Sequence, residues 1–295
     1  MSLASDLVVP GQVAIAWSFD PPVLVALIVI SALYAWGVAR IWHRAGVGRG
    51  VSVNRVGCFA GGIVATFIAL VSPIDRLGET LFSAHMVQHL ILMLVAAPLF
   101  AASSPLLPTL LALGPRVQTF ARRIERSRIG SFIARSVKAP AVVFVLSTLA
   151  LWGWHMPGPY RAALENPWIH ALEHASFVGT SMLFWWLILT PAGRKLIDRG
   201  AAIFFVFVSG MPAAALGALL TFATVKLYPI HEAGVRLWHT TLLHDQQMAG
   251  LIMWIPAGVL YIGTAAALFL RWMAAEASGG SEDDKERKLG WLGEH

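Results

Sequence analysis

Apolar and polar positions fall in long blocks along this chain rather than alternating turn by turn. Seven apolar segments stand out, roughly at 22–42, 56–72, 81–102, 140–155, 168–190, 201–223 and 247–272. Each is too long and too continuously apolar for a barrel strand. A bilayer also has no water to satisfy unpaired backbone groups, so each segment predicts a membrane-spanning helix. The second and fourth sit at the lower length limit for a span. The expected fold class is all-α: a polytopic membrane protein with seven transmembrane helices, forming one domain over residues 1–273. A polar tail of mixed charge follows at 274–295 and is expected to be mobile and cytoplasmic.

Composition agrees with this pattern. The chain is 57% hydrophobic and 13% charged, about half the charged share of a soluble domain, and its mean hydropathy is +0.67. The single cysteine, Cys58, excludes an internal disulfide and any cysteine pair for metal or redox work. Residues 1–20 contain no Lys or Arg and no cleavage-like end to an apolar core, so targeting is expected through the first span.

The net charge of +6 reports orientation, not a nucleic-acid partner. One set of loops holds Arg40, Arg44, Arg49 and Arg55; Arg116, Arg122, Arg123, Arg126, Arg128, Arg135 and Lys138; Arg194, Lys195 and Arg199; and Arg271, Lys285, Arg287 and Lys288. The other set holds only Arg76, Arg161, Lys226 and Arg236. The bias places the N-terminus outside and the C-terminus in the cytoplasm of a bacterial inner membrane. Residues 114–138 mix arginines with Val117, Phe120, Ile124, Ile129, Phe132 and Ile133, and read as a basic amphipathic helix on the lipid of the inner leaflet.

On that topology, eight of the ten histidines lie on the outer side. His85 and His89 are spaced i, i+4 at the start of the third segment, with Met93 at i+8, so a helix puts all three on one face. His89 lies about 12 Å into its span. His170-Ala171-Leu172-Glu173-His174 repeats the spacing at the start of the fifth segment. His155 ends the fourth segment, and His244-Asp245 opens the seventh. Imidazole and thioether are metal ligands, and imidazole also ligates haem. The plain alternative is that these histidines are buried packing donors. Asp245 and Glu173 fit a ligand or ligand-orienting role, and Asp245 also fits a helix N-cap. His231 reads more simply as a solvated loop residue, and His239 equally as a solvated loop residue or a ligand. Gly57 and Gly61 suggest a small-residue helix contact, and Gly210-Met211-Pro212 a kink in the sixth span.

With these motifs in view, the chain resembles the multi-spanning CtaG-like membrane proteins linked to assembly of cytochrome c oxidase of the caa type. The resemblance rests on the stretch 83–89 with Ala97-Pro98, on Trp152-Gly153-Trp154-His155 with Pro159-Tyr160, on 170–174, and on Asp245-Gln246 with Ala249-Gly250 and Met253-Trp254. It implies a non-enzymatic assembly factor, with a cytochrome c oxidase subunit as partner and copper delivery as its task. The resemblance and the outward His/Met set together predict a copper site drawn from His85, His89, Met93, His155, His170, His174, His244 and Asp245. Two other readings stay open at this point: a haem-b electron carrier with axial His89 and His174, and a zinc-dependent membrane hydrolase.

Overall fold

The computed structural model describes residues 7–190 and 197–292, with side chains described to 276. Among these residues the regular structure is helical and no strand occurs. In chain order the helices are α1 (Pro21–Ala45), α2 (Val53–Leu70), α3 (Pro73–Thr80), α4 (Phe82–Leu90), α5 (Ala97–Ser103), α6 (Leu106–Ala112), α7 (Pro115–Arg126), α8 (Arg128–Ser136), α9 (Pro140–Trp154), α10 (Pro157–Glu165), α11 (Pro167–Leu189), α12 (Arg199–Phe222), α13 (Glu232–Leu237) and α14 (Leu242–Leu292). Proline opens many of them, where its missing N–H leaves no helical bond unmade.

Among the described residues six helices are long and apolar enough to cross a membrane: α1, α2, the continuous run Phe82–Ser103, α11, α12 and α14 to Glu276. A seventh is counted if α8 and α9 are taken as one span, and these two are bent by 82°. The fourth expected segment is therefore the 15-residue α9, about 22 Å long against a hydrocarbon core of about 30 Å. Ile28, Phe204, Val259 and Ile262 leave their side chains largely uncovered on the outside of the bundle, as lipid-facing positions do. This is a multi-pass membrane protein.

The run Phe82–Ser103 is the central helix. Of its apolar window 44% is buried, against 17% for α1 and 11% for α14. Phe82, Met86, Tyr160, Phe177, Tyr228 and Met253 pack around its first turns, and Ala97 and Ala101 pack with Phe184 and Phe205 around its last. Between α4 and α5 the helix widens to a π-helical stretch, Ile91–Ala96. Pro98 follows at the start of α5 and has no N–H to offer the turn before it.

Several expectations change here. The basic segment 114–138 is two helices, α7 and α8, broken at Ser127, whose side chain caps Gly130 N at 3.0 Å. Gly130 needs to be glycine, because a Cβ there would lie 1.8 Å from the Ile124 carbonyl oxygen. Phe120, Ile129 and Phe132 on this segment are exposed. The small-residue contact is not at Gly57, where a Cβ would meet nothing within 4 Å. It lies between α12 and α14: a Cβ on Gly250 would come within 2.5 Å of Thr221 N, and one on Gly217 within 2.8 Å of Trp254 Cβ. Pro212 sits inside α12, and its carbonyl accepts from Trp152 Nε1 at 3.2 Å. The backbone of α14 continues as helix through the segment expected as a tail, to Leu292. Arg194, Lys195, His295 and the side chains of Lys285, Arg287 and Lys288 lie outside the described residues.

Candidate metal centre

Two helix starts build the site. The first is α4, whose N-terminus is fixed from the far end of the sequence. The Asp245 carboxylate accepts from Phe82 N at 2.8 Å, from Ser83 N at 3.2 Å and from the Ser83 hydroxyl. The second is α11. Asn166 Oδ1 accepts from Trp168 N at 2.9 Å and Ile169 N at 3.3 Å, and Pro167 sets the first turn. Each start then presents residues at helical spacing: His85 and His89 from α4, and His170, Glu173 and His174 from α11.

His85, His89, Glu173 and His174 converge. One donor atom from each lies within 4.8 Å of all the others, and all four side chains are buried. Glu173 Oε2 is 3.9 Å from His85 Nε2, and Oε1 is 3.8 Å from His89 Nε2. A tetrahedral metal with bonds of about 2.0–2.1 Å would have ligand atoms roughly 3.3 Å apart. The two Glu173–histidine separations exceed that by about half an ångström, and the group as a whole, spread over up to 4.8 Å, must close in to form a tetrahedral shell.

The donors have no other occupation. Both ring nitrogens of His85 and His89, Nε2 of His174 and of His170, and both Glu173 oxygens are buried without a hydrogen-bond partner. A buried polar group left unpaired costs about 1–3 kcal/mol, and charged groups within a membrane cost more. So many unpaired atoms facing one another are hard to reconcile with packing alone, and a shared cation resolves them. Imidazole nitrogen suits copper and zinc, and the carboxylate supplies countercharge to a divalent or monovalent ion.

The other expected ligands sort by position. His170 stacks on His85 at 5.4 Å and lies 4.2 Å from His174, centroid to centroid, which places it at the rim of the group. His155 is 5.9 Å from the His89 ring, outside the four, with its Nδ1 donating to the Leu151 carbonyl at 2.7 Å. Met93 lies in the π-helical stretch and lines a cavity together with His89. The structure does not bring His244 to the site: it is exposed, with Nδ1 3.2 Å from the Thr240 hydroxyl. Asp245 is not a ligand either, because its oxygens cap α4.

Glu173, expected either as a ligand or as an orienting carboxylate, faces two imidazoles directly. Its place one turn beyond His170 was the available signal. His231 was expected to be solvated and is 1% exposed. Burial pushes the Tyr160 hydroxyl pKa well up and the His231 pKa down, so a protonated phenol donates to a neutral imidazole at 2.8 Å. Tyr160 in turn packs its ring 5.2 Å from His85, so this pair closes the outer side of the group. Gln88 Nε2 donates to Ala69 O at 3.0 Å and to Asp75 Oδ1 at 2.7 Å, holding α4 against α2 and α3.

The chain is 23% identical over 284 residues to the uncharacterized proteins Mb0105 of Mycobacterium bovis and MT0111 of Mycobacterium tuberculosis, covering 93% of this chain and 42% of each relative. It is 24% identical over 265 residues to the uncharacterized protein ML1998 of Mycobacterium leprae, covering 87% of this chain and 39% of that protein. The chain therefore spans about two fifths of the length of these relatives. No solved structure matches. The profile described as cytochrome c oxidase caa3 assembly factor, Caa3_CtaG, matches residues 32–275, which takes in every residue of the buried group. That family is defined by oxidase assembly, not by a catalysed reaction, and this chain belongs to the cytochrome c oxidase caa3 assembly factor family.

Proposed function

We propose that this chain binds copper through His85, His89, His174 and Glu173 on the extracytoplasmic side of the bacterial inner membrane, and hands it to a cytochrome c oxidase subunit during assembly. The observation that carries this reading is the convergence of four buried donors with no partner of their own. Family membership supplies the oxidase as the destination. The side assignment rests on charge: the site end of the bundle carries Arg76, Arg161, Lys226 and Arg236, and the opposite loops carry the arginine-rich segments.

In this reading copper is cargo. The imidazoles offer lone pairs, and Glu173 offsets the cation's loss of hydration. His170, at the rim with a free Nε2, is placed to receive an incoming ion before His174 and His85 take it. Exchange between such ligands needs no bond-making on a substrate. A haem has less support: the His89 and His174 rings pack edge to face, 5.3 Å apart at 83°, without the planar gap a macrocycle requires. Three imidazoles and a carboxylate also suit zinc, so the metal must be identified directly.

Metal analysis of the detergent-purified protein tests the reading. Copper should copurify or bind stoichiometrically, and its stoichiometry should fall in His85→Ala/His89→Ala. Zinc in place of copper, a Soret band, or an unchanged copper stoichiometry in the double variant would contradict it.

A further inference from the structure

A second constellation lies directly inward of the His/Glu group. A cavity of about 40 Å³ is lined by Met86, His89, Met93, Leu151, His155 and Met253, among others. This is more than one water needs. Three of the chain's nine methionines meet here, and they come from separate parts of the fold: α4, the π-helical stretch and α14. Met86 is fully buried and Met253 is 6% exposed.

The tautomer of His155 decides what this cavity can bind. Its Nδ1 is 2.7 Å from the Leu151 carbonyl oxygen, which can only accept, so Nδ1 carries the proton. A charged ring is disfavoured in this apolar surrounding, so the ring is neutral and Nε2 presents a lone pair. The atom facing it, at 3.2 Å, is the Met86 sulfur, which has no proton to donate. Two lone pairs therefore meet across a short gap beside an open volume. A metal about 2.0 Å from nitrogen and about 2.3 Å from sulfur would hold them at roughly 95° to one another. Thioether with imidazole is the ligand set that selects copper(I).

We infer that His155 and Met86, with Met93 and Met253 around them, form a second cation site selective for a soft monovalent ion, separate from the His/Glu group. His89 is the wall between the two: its ring belongs to the outer group and lines the inner cavity. The outer group carries a carboxylate and the inner one does not, so the two differ in hardness. A copper ion passing inward exchanges an N/O shell for an N/S shell. The inner site stands on its own geometry and does not require the outer group to hold metal.

The test uses the full chain in detergent and two probe ions, silver(I) for the soft site and zinc(II) for the outer group. Silver(I) should bind with sulfur scatterers in its X-ray absorption spectrum. Met86→Leu and Met253→Leu, both volume-conserving, should lose that ion and its sulfur signal while zinc(II) uptake is unchanged. His174→Ala should do the reverse. Silver(I) held by nitrogen or oxygen alone in the wild-type protein, a spectrum that needs no variant to fold, would overturn the inference. Silver(I) uptake indifferent to both methionine variants would overturn it too. Failure of the outer site would show instead as no zinc(II) or copper uptake lost in His174→Ala, with the sulfur signal intact.

Discussion

Asp245, at the start of the last span, accepts the backbone N–H of Phe82 at 2.8 Å, so the helix carrying His85 and His89 is capped by a residue 163 positions away. The same carboxylate takes Ser83 N and its hydroxyl. Asp245→Ala leaves these buried donors unpaired and should destabilise the protein by about 1–3 kcal/mol. It should also loosen metal binding, by about 10- to 100-fold, as loss of a supporting contact around a metal site does. Thermal unfolding in detergent and metal titration would check both. His244→Ala, one residue away and exposed, should change neither measurement.

The outer side of the site depends on one close approach. A Cβ on Gly234 of α13 would lie 1.9 Å from the Thr80 carbonyl oxygen at the end of α3. Gly234→Ala should therefore force α13 off α3 and cost about 1–3 kcal/mol. Gly57→Ala, in open space within α2, should be neutral or stabilising by up to about 1 kcal/mol. Comparing the two unfolding midpoints would check the pair.

These cases mark what could be read from sequence. The spans and the two histidine ladders were legible because helical periodicity is local: His85 and His89, or His170 and His174, share a face whatever surrounds them. That α4 and α11 face each other was not, since it depends on how the bundle packs. The role of Asp245 was hidden for the same reason. A carboxylate at a helix start suggests capping of its own helix, and here it caps another. The sequence predicts a regular helix through Met93, and the π-helical stretch Ile91–Ala96 was not legible there beyond the disturbed turn that Pro98 signals. Of Gly57 and Gly61, which match a spacing rule, only Gly61 comes close to another helix, at Leu99, while the tighter contact of Gly217 with Gly250 joins two helices and forms no motif in one stretch.

Asp75 gives a pH dependence. Burial pushes its carboxyl above the ordinary range, against hydrogen bonds from Ser18 and Gln88 that act the other way. A folded-state value raised above the unfolded one, about 3.9, favours the protonated form. Its stabilising contribution is full below that unfolded value and is lost as pH rises through the folded value. The wild-type protein should therefore lose stability relative to Asp75→Asn as pH is raised from about 4. Parallel unfolding midpoints across that range would contradict this.

Tyr160→Phe removes the hydroxyl that donates to His231 Nε2 and leaves that buried nitrogen unpaired. A loss of about 1–3 kcal/mol is expected. Metal bound by the His/Glu group should persist, because Tyr160 contributes only its ring edge to His85. Unfolding and metal content measured on the same preparation would separate the two effects.

The most direct measurement is an anomalous-difference map at the copper absorption edge, from crystals of the copper-loaded protein. A strong peak is expected enclosed by His85, His89, Glu173 and His174, about 2.0–2.2 Å from the ligand atoms and distinct from any peak in the methionine-lined cavity. Copper confined to exposed histidines such as His239 or His244, with the four buried side chains turned away from one another, would contradict it.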